Sequence, residues 1–193
     1  IVLVERTPLM ELSIYFGLID FIKKNIIKLL IYFLYNLSDI IVCNSSSISK
    51  HFKNKYKLKT KTIFPPSVTN SFHGSKKIYK KNKTLVIATI CRLTKEKGLD
   101  LLFQALSLLK FKNYKLLIAG DGIERLKLKK LSERLSISSK IKYFGFLKDI
   151  KPVLKLSNLY INSSYFEGFP NSVVEAINYG IPVICSQSHG GIN

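Results

Sequence analysis

The chain has 193 residues, enough for one full domain or parts of two, and 47% of them are hydrophobic, a composition that excludes a disordered protein. The formal net charge of +19 suggests an anionic partner: nucleic acid, a membrane surface or a phosphorylated substrate. Because nearly all of this charge is lysine, which a genome rich in A and T would also produce, charge alone does not choose among these partners.

The first predicted domain covers residues 1–66. An apolar run at 1–4 is typical of a strand, and a long helical stretch follows, because apolar residues between 18 and 37 recur at helical spacing. Lys23, Lys24 and the other lysine of this stretch lie off the apolar stripe. We favour a helix packed on a sheet, and the alternative is a helix lying on a membrane surface.

A second strand is predicted over 39–44, and the serines at 45–47 can cap a basic helix that runs to Tyr56. The two prolines at 65–66 end this domain, since proline neither continues a helix nor donates to a central strand. The polar stretch 67–83 is interpreted as an interdomain linker.

The second predicted domain, residues 84–193, alternates strand-like and helix-like runs. The strand-like runs cover 84–90, 114–119, 141–144, 159–162 and 182–185, and the helix-like runs cover 99–110, 123–135, 150–156 and 171–179. Such alternation predicts βαβ units and a parallel sheet. Ligands of these sheets bind at the carboxyl ends of the strands, so we expect the chemistry in the loops that follow them.

Cysteine spacing and hydropathy add further expectations. Cys43, Cys91 and Cys185 are far apart without a CxxC pair, so we expect free, buried thiols in a reducing cytosol, without disulfides or a zinc site. No secretory signal pattern occurs, and no stretch reaches the roughly 18 apolar residues that a membrane helix needs. The chain starts within a strand pattern and stops within a loop pattern, so we expect both ends to be truncations.

Two loops after predicted strands contain polar motifs. Arg92 and Lys97 bracket a turn before a helix that begins at Gly98, so a helix N-terminus and two cations would together clamp a diphosphate. An ordinary solvated loop explains these residues equally well. In the next loop, a Gly-Asp-Gly turn allows Asp121 and Glu124 to form a capping box, which we interpret as structural.

The loop after the fourth strand of this domain has the strongest motif. Glu167 precedes a helix that starts near Pro170, and Glu175 lies about one turn inside that helix, so both carboxylates can face one cleft. Gly168 permits close approach to a ligand, and carboxylates accept hydrogen bonds from sugar or ribose hydroxyls. The alternative is an exposed Glu167 and a salt-bridged Glu175.

Taken in order, these motifs resemble the C-terminal domain of the retaining GT-B glycosyltransferases of family 4. Two glutamates separated by seven residues, as at Glu167 and Glu175, are that family's signature, and the resemblance runs from about 85 to 191. Residues 38–45 are similar to a strand and loop in the family's N-terminal domain. Residues 6–9 weakly resemble the subgroup that acts on lipid-linked N-acetylhexosamines.

The resemblance implies an α/β fold of GT-B type, with two Rossmann-like domains that are both incomplete here. It implies that Arg92 and Lys97 hold the donor diphosphate and that Glu167 contacts the transferred sugar. The remaining implied donor-binding residues are Gly168, Phe169, Pro170, Asn171, Leu147, whose main chain would meet the base, and Glu175, which would bind the ribose. No DxD motif occurs, which fits a family that needs no metal and no cofactor beyond its UDP- or GDP-sugar donor. In the interdomain stretch, Phe64-Pro65-Pro66 replaces the family's usual Asn-Pro.

The expected reaction is transfer of a hexosyl or N-acetylhexosaminyl group, with retention, to a lipid-linked or saccharide acceptor in polysaccharide or lipopolysaccharide synthesis. We expect a cytoplasmic protein, peripheral to the inner face of the membrane, and no activity from this chain alone. Two alternatives stay open. One is a non-catalytic nucleotide-sugar-binding domain. The other is a basic nucleic-acid-binding module, which we disfavour because the lysines are spread along helices without interleaved aromatics.

Overall fold

The computed structural model describes residues 1–6, 17–66, 84–187 and 189–190, which fall into two compact units. The first unit comprises Ile1–Pro66, Phe166–Pro170 and Gln187–Asn193, and the second comprises Ser67–Tyr165 and Asn171–Ser186. The predicted linker at 67–83, the motif residues at 7–9 and the last three residues of the chain lie outside the described residues.

Strands and helices alternate along most of the described chain. The strands are β1 (Val2–Glu5), β2 (Ile40–Cys43), β3 (Thr60–Thr62), β4 (Leu85–Ile90), β5 (Tyr114–Ala119), β6 (Ile141–Gly145), β7 (Leu159–Asn162), β8 (Phe166–Glu167), β9 (Val183–Cys185) and β10 (His189–Gly190). The helices are α1 (Leu18–Leu34), α2 (Ser46–Tyr56), α3 (Leu99–Leu108), α4 (Arg125–Arg134), α5 (Lys151–Leu156) and α6 (Asn171–Asn178).

The first unit contains a parallel sheet with strand order β1-β2-β3, in which α1 and α2 make the crossovers. Ser45 caps α2 as predicted, because its hydroxyl accepts a hydrogen bond from the Ile48 N–H at 3.3 Å. The helix ends at Lys57, which takes the left-handed conformation common after a helix C-terminus. Ile41 and Phe52 are fully buried between the sheet and its helices.

Helix α1 packs with a different face from the one predicted. Ile31 is buried in the core, and the half-buried Tyr35 just beyond the helix donates its hydroxyl to the Glu5 carboxylate at 2.6 Å. The half-buried ion pair of Asp20 with Lys24, at 3.3 Å, lies at helical spacing from Ile31 on this packed side. The predicted apolar stripe is instead 49–70% exposed: Ile19, Ile22, Ile26, Leu29, Leu30, Phe33, Leu34 and Leu37. The predicted packing of this helix on a sheet is therefore confirmed, but the packed face contains Ile31 and not the apolar stripe.

The second unit is built on a five-stranded parallel sheet with strand order β6-β5-β4-β7-β9. The chain winds outward from β4 through β5 to β6, and then returns to place β7 and β9 on the other side of β4. Ile87 and Ala88, adjacent on β4, enter separate buried clusters, so helices cover both faces of the sheet. The predicted α/β class with parallel sheets is confirmed.

The three cysteines are not joined by disulfides. Cys43 is buried, and burial raises the pKa of its thiol to about 11, so it stays protonated and unreactive near neutral pH. Cys91 and Cys185 are only half-buried, which corrects the expectation of full burial. Among the described helices, none is both long and apolar enough to cross a membrane.

Candidate functional site

The strand order of the second unit reverses between β4 and β7, so their carboxyl ends flank a topological switch point. The loop 91–98 leaves β4 at this point, and the segment 163–165 leaves β7 there. Open parallel sheets bind their ligands in the crevice at such a reversal. The sequence-predicted residues Arg92 and Lys97 therefore lie where this architecture places a site.

One side of the loop 91–98 is held by the loop after β5. The Leu93 N–H donates to the Asp121 carbonyl at 2.9 Å, and the Glu124 N–H donates to the Leu93 carbonyl at 2.9 Å. Gly122 makes this contact possible, because a Cβ there would lie 2.5 Å from the Leu93 carbonyl oxygen. The backbone of the Gly-Asp-Gly turn thus fixes the loop that carries Arg92.

These contacts explain why the predicted capping box is wrong. The Asp121 carboxylate accepts from the Gly122 N–H and pairs with Arg125, both at 2.8 Å, while the Glu124 carboxylate pairs with Lys127 at 2.8 Å. The Glu124 N–H, which would join such a box, is already bonded outside the helix. Helix α4 therefore starts without a side-chain cap.

The other side of the loop 91–98 is held by the segment after β7. The Ser163 hydroxyl donates to the Lys97 carbonyl at 2.9 Å, and the Tyr165 N–H donates to the Glu96 carbonyl at 2.9 Å. Gly98 has a positive φ of +59°, and a Cβ there would lie 2.1 Å from the Ser163 carbonyl oxygen. This close approach requires glycine, and it gives the loop a second fixed edge.

The two cations of the loop differ in exposure. The Arg92 side chain is 77% exposed, and its guanidinium lies 3.7 Å from the Glu96 carboxylate. That Glu96 carboxylate already accepts a hydrogen bond from the Thr94 hydroxyl at 2.6 Å. Such a long, exposed ion pair is weak, so Arg92 can turn to an anion at little cost. Lys97 is half-buried.

A cavity of about 200 Å³ opens at the carboxyl ends of β4, β5 and β6. Its walls are formed by Ile90, Cys91, Arg92, Ala119, Gly120, Asp121, Phe146, Leu147 and Ile150. The structure therefore brings together two predicted site residues, Arg92 and Leu147. Phe146 is 77% exposed, so a large aromatic surface stands at this cavity. No cluster of three metal-ligating side chains occurs in the described part of the chain.

Glu175 lies one turn along α6, on the same side of the helix as Ser172. It is half-buried, and the loss of water raises the pKa of its carboxyl above the usual value. Asn171 begins the same helix and is exposed. A half-buried carboxylate at this place can accept hydrogen bonds from a hydroxylated ligand.

The remaining predicted residues, at 167–170, belong to the first unit by their contacts. Glu167 lies on β8 and pairs in register with Gly190 of β10. A Cβ at Gly168 would lie 2.0 Å from the Arg6 carbonyl oxygen, so the backbone passes very close to the start of the chain. Phe169 packs against Phe64 with ring centroids 5.9 Å apart, and Pro170 is buried. Arg92, Lys97, Leu147, Asn171 and Glu175 belong to the second unit.

Two residues of the site were not predicted from the sequence. Tyr160 binds the end of β4, and Ser163 binds the end of the loop that follows it. Their signals were a serine pair directly after β7 and a tyrosine within a buried strand, where a hydroxyl needs a partner. Neither signal identifies the partner, because the partners lie 66 and 70 residues away along the chain.

The family model that describes glycosyl transferases group 1 matches residues 72–193, well over half of the chain. The chain belongs to this family. The match covers all the residues that the sequence predicted to bind a donor.

Two curated relatives of this group 1 chain illustrate the similarity. An uncharacterised glycosyltransferase of Methanocaldococcus jannaschii is 33% identical over 87% of the chain. The lipopolysaccharide core biosynthesis glycosyltransferase LpsE of Rhizobium meliloti is 26% identical over 79% of it. The chain spans 44% and 45% of these two proteins, so it corresponds to less than half of either.

Solved structures of glycosyltransferases share the fold. The lipopolysaccharide outer core galactosyltransferase WaaB matches with a TM-score of 0.68 and 24% identity, over 81% of this chain and 45% of that one. HepE of Anabaena, solved in complex with UDP and glucose, matches with a TM-score of 0.71 and 20% identity, over 98% of this chain and 53% of that one. These likenesses confirm the predicted GT-B type of fold.

Proposed function

We propose that this group 1 chain is the donor-binding part of a retaining hexosyl- or N-acetylhexosaminyltransferase of family 4 that uses a UDP- or GDP-sugar. The observation that carries the proposal is the loop 91–98, which is fixed on both edges at the switch point and presents Arg92 to a cavity shared with Leu147. An anion-binding loop beside a largely apolar cavity suits a nucleotide diphosphate, whose base needs apolar walls and whose phosphates need cations. The binding of UDP by HepE supports this choice.

In the proposed reaction, the bond between the sugar C1 and the β-phosphate oxygen breaks, and an acceptor oxygen bonds to C1 from the same face. The acceptor proton passes to the departing diphosphate. Arg92 and Lys97 stabilise the charge that develops on that diphosphate, because cations aimed at developing charge lower the barrier. Since two cations do this, we propose that the reaction needs no divalent metal.

The other predicted residues have binding roles in this proposal. Glu175 accepts hydrogen bonds from the ribose hydroxyls, and Leu147 meets the base. Glu167 contacts the hydroxyls of the transferred sugar, while Gly168, Phe169, Pro170 and Asn171 line the sugar and phosphate positions. The acceptor is proposed to be a lipid-linked or free saccharide in polysaccharide or lipopolysaccharide synthesis, as the names of LpsE and WaaB suggest.

We also propose that the protein acts at the inner face of the cytoplasmic membrane. Two features of the first unit support this: the exposed apolar stripe of α1, and a basic groove of about 540 Å³. The groove is lined by Lys53, Asn54, Lys57, Leu58, Lys59 and Thr60. Exposed apolar side chains and clustered lysines are the two attractions that a peripheral protein has for an anionic bilayer.

Steady-state kinetics of the natural full-length protein test the assignment of the two glutamates. Glu175→Gln should raise KM more than it lowers kcat, because the ribose does not change during the reaction. Glu167→Gln should lower kcat on the order of 10²-fold, because it misplaces the reacting sugar. Transfer should persist in excess EDTA. Wild-type turnover by Glu167→Gln, or a loss in EDTA that Mg²⁺ or Mn²⁺ restores, would contradict the proposal.

Nucleotide binding without sugar transfer by the full-length protein would instead support the alternative of a non-catalytic binding domain. Calorimetry with UDP-sugar, followed by analysis of the mixture for released UDP, separates the two functions. Released UDP, formed by sugar transfer or by hydrolysis, is expected only from an enzyme.

A further inference from the structure

The pairing of β4 with β7 stops before either strand ends. The described register joins Ile87 to Leu159 and Ala88 to Tyr160, while β4 continues to Ile90. Successive residues of a strand turn their N–H and C=O groups to opposite neighbours. Ile90 therefore directs both groups to the β7 side, beyond the last described β4–β7 backbone pair.

The hydroxyl of Tyr160 occupies that position. It lies 3.3 Å from the Ile90 nitrogen, 3.2 Å from the Ile90 carbonyl oxygen and 2.8 Å from the Ser172 hydroxyl. The phenol hydroxyl can accept a hydrogen bond from the Ile90 N–H. It can donate its single proton either to the Ile90 carbonyl or to the Ser172 hydroxyl. Tyr160 is 1% exposed, so water does not replace these bonds.

The three partner atoms belong to two residues, Ile90 and Ser172, and each of these lies close in sequence to a proposed donor-binding residue. Ile90 is the last residue of β4, two positions before Arg92, and Ser172 lies in the first turn of α6, three positions before Glu175. One side chain thus joins the strand end that leads to the cation loop with the helix that holds the half-buried carboxylate.

We propose that Tyr160 is a positioning residue that fixes the end of β4, and with it the Arg92 loop, relative to the Glu175 helix. The role in donor binding rests on the function proposed above, whereas the mechanical link does not. A phenylalanine would fill the same space in the buried cluster, so the hydroxyl is the part of Tyr160 that makes the link.

Tyr143 on β6 supplies a matched control. Its hydroxyl is also buried, but it has no hydrogen-bond partner within the part of the chain that the structure describes. Tyr143→Phe and Tyr160→Phe therefore remove the same atom from the same sheet, and only the second removal breaks a link between elements.

Hydrogen–deuterium exchange of the unliganded full-length protein tests the link without any substrate. In Tyr160→Phe, the Ile90 amide and the first turn of α6 should exchange about tenfold faster, since a lost buried hydrogen bond costs roughly that factor. The amides of β5 should keep their wild-type rates, and Tyr143→Phe should change none of these rates. Unchanged exchange at Ile90 and α6, or a uniform rise over the whole domain, would overturn the link.

Calorimetric titration with UDP and with GDP tests the consequence for binding. Tyr160→Phe should weaken binding of the preferred nucleotide about tenfold, and Tyr143→Phe should leave it unchanged. In a Glu175→Gln background the effect of Tyr160→Phe should shrink below about threefold, because coupled residues are not additive. Equal weakening in both backgrounds would show a general structural role and overturn the positioning role. If the wild type bound neither nucleotide, the proposed function would fail, and the exchange rates would still decide the link.

Discussion

The Glu175 carboxylate is half-buried on α6, and burial disfavours its charged form. Its pKa in the folded chain therefore lies above its ordinary value of 4.5. An acid whose pKa rises on folding binds more protons in the native state than in the unfolded state. The contribution of Glu175 to the free energy of unfolding is therefore largest below the ordinary pKa. This contribution is lost as the pH rises through the raised pKa.

Glu175→Gln should remove this pH dependence. Near pH 4 the variant and the wild type should differ least, and the variant should gain in relative stability as the pH rises, until wild-type Glu175 is fully ionised. Urea denaturation between pH 4 and pH 8 measures the difference in free energy of unfolding. Glu133→Gln, an exposed position on α4, makes the same chemical change as a control. A stability difference that does not change with pH would contradict the burial of Glu175.

At the same scale, single residues show what the sequence could and could not predict. Ser45 was identified correctly as a cap, because its partner Ile48 lies three positions away. The capping box of Asp121 and Glu124 was wrong, because Leu93, a residue distant in sequence, takes the Glu124 N–H. Tyr160 was not identified at all, since its role depends on where the β4–β7 pairing stops. Local chemistry was predictable, and chemistry set by strand register was not.

At the scale of elements, the loop 91–98 depends on glycine at its end. Gly98 and Gly145 both have positive φ, +59° and +70°, but only Gly98 lies against another backbone, where a Cβ would be 2.1 Å from the Ser163 carbonyl oxygen. At Gly145 a Cβ would meet nothing within 4 Å. Substitution by alanine at Gly145 therefore measures the destabilisation from the left-handed backbone alone, whereas substitution at Gly98 adds the destabilisation from the backbone contact.

Gly98→Ala should therefore destabilise the protein more than Gly145→Ala. The left-handed conformation costs each alanine about 1–2 kcal/mol, and Gly98→Ala must in addition push the Ser163 backbone away. Thermal or urea unfolding measures both variants, and UDP titration should show weaker binding only for Gly98→Ala, because only that substitution moves the Arg92 loop. If the two variants were equally stable, the tight packing of the loop on the segment after β7 would be wrong.

The elements themselves were well predicted in the second unit and less so in the first. The strands over 114–119 and 159–162 match their predictions fully, because buried apolar runs bounded by turns are local signals. Helix α1 was predicted as a helix, but its packed face was not, because apolar periodicity shows a stripe without showing what covers it. The structure buries Ile31 and leaves that stripe exposed. The grouping of 166–170 with the first unit had no sequence signal.

At the scale of the whole molecule, the formal net charge of +19 attracts any polyanion, so its distribution matters more than its sum. No acidic residue occurs between Asp39 and Glu96, and the basic groove at the end of α2 lies in this stretch. Screening confines the effect of exposed charges to about 8 Å at physiological salt. A surface that meets an anionic bilayer must therefore concentrate its lysines, as this groove does.

Replacing the three groove lysines should weaken membrane binding more than replacing three lysines elsewhere. Each lysine near an anionic surface contributes about 1 kcal/mol, so Lys53, Lys57 and Lys59 changed together to Gln should cost up to about 100-fold in vesicle affinity. Co-sedimentation of the full-length protein with phosphatidylglycerol vesicles near 0.15 M salt measures this, and pure phosphatidylcholine vesicles should bind much less.

The control changes the same net charge in the second unit, at three exposed lysines: Lys129, Lys130 and Lys155. If net charge alone attracts the protein, both triple variants will lose affinity equally, and the groove is not the membrane contact. Retention on heparin decides nothing, because long-range attraction gives salt-sensitive binding to any polyanion. Nanomolar, sequence-selective binding to DNA or RNA at the same salt would contradict the membrane proposal, because it would require a surface that reads bases as well as charge.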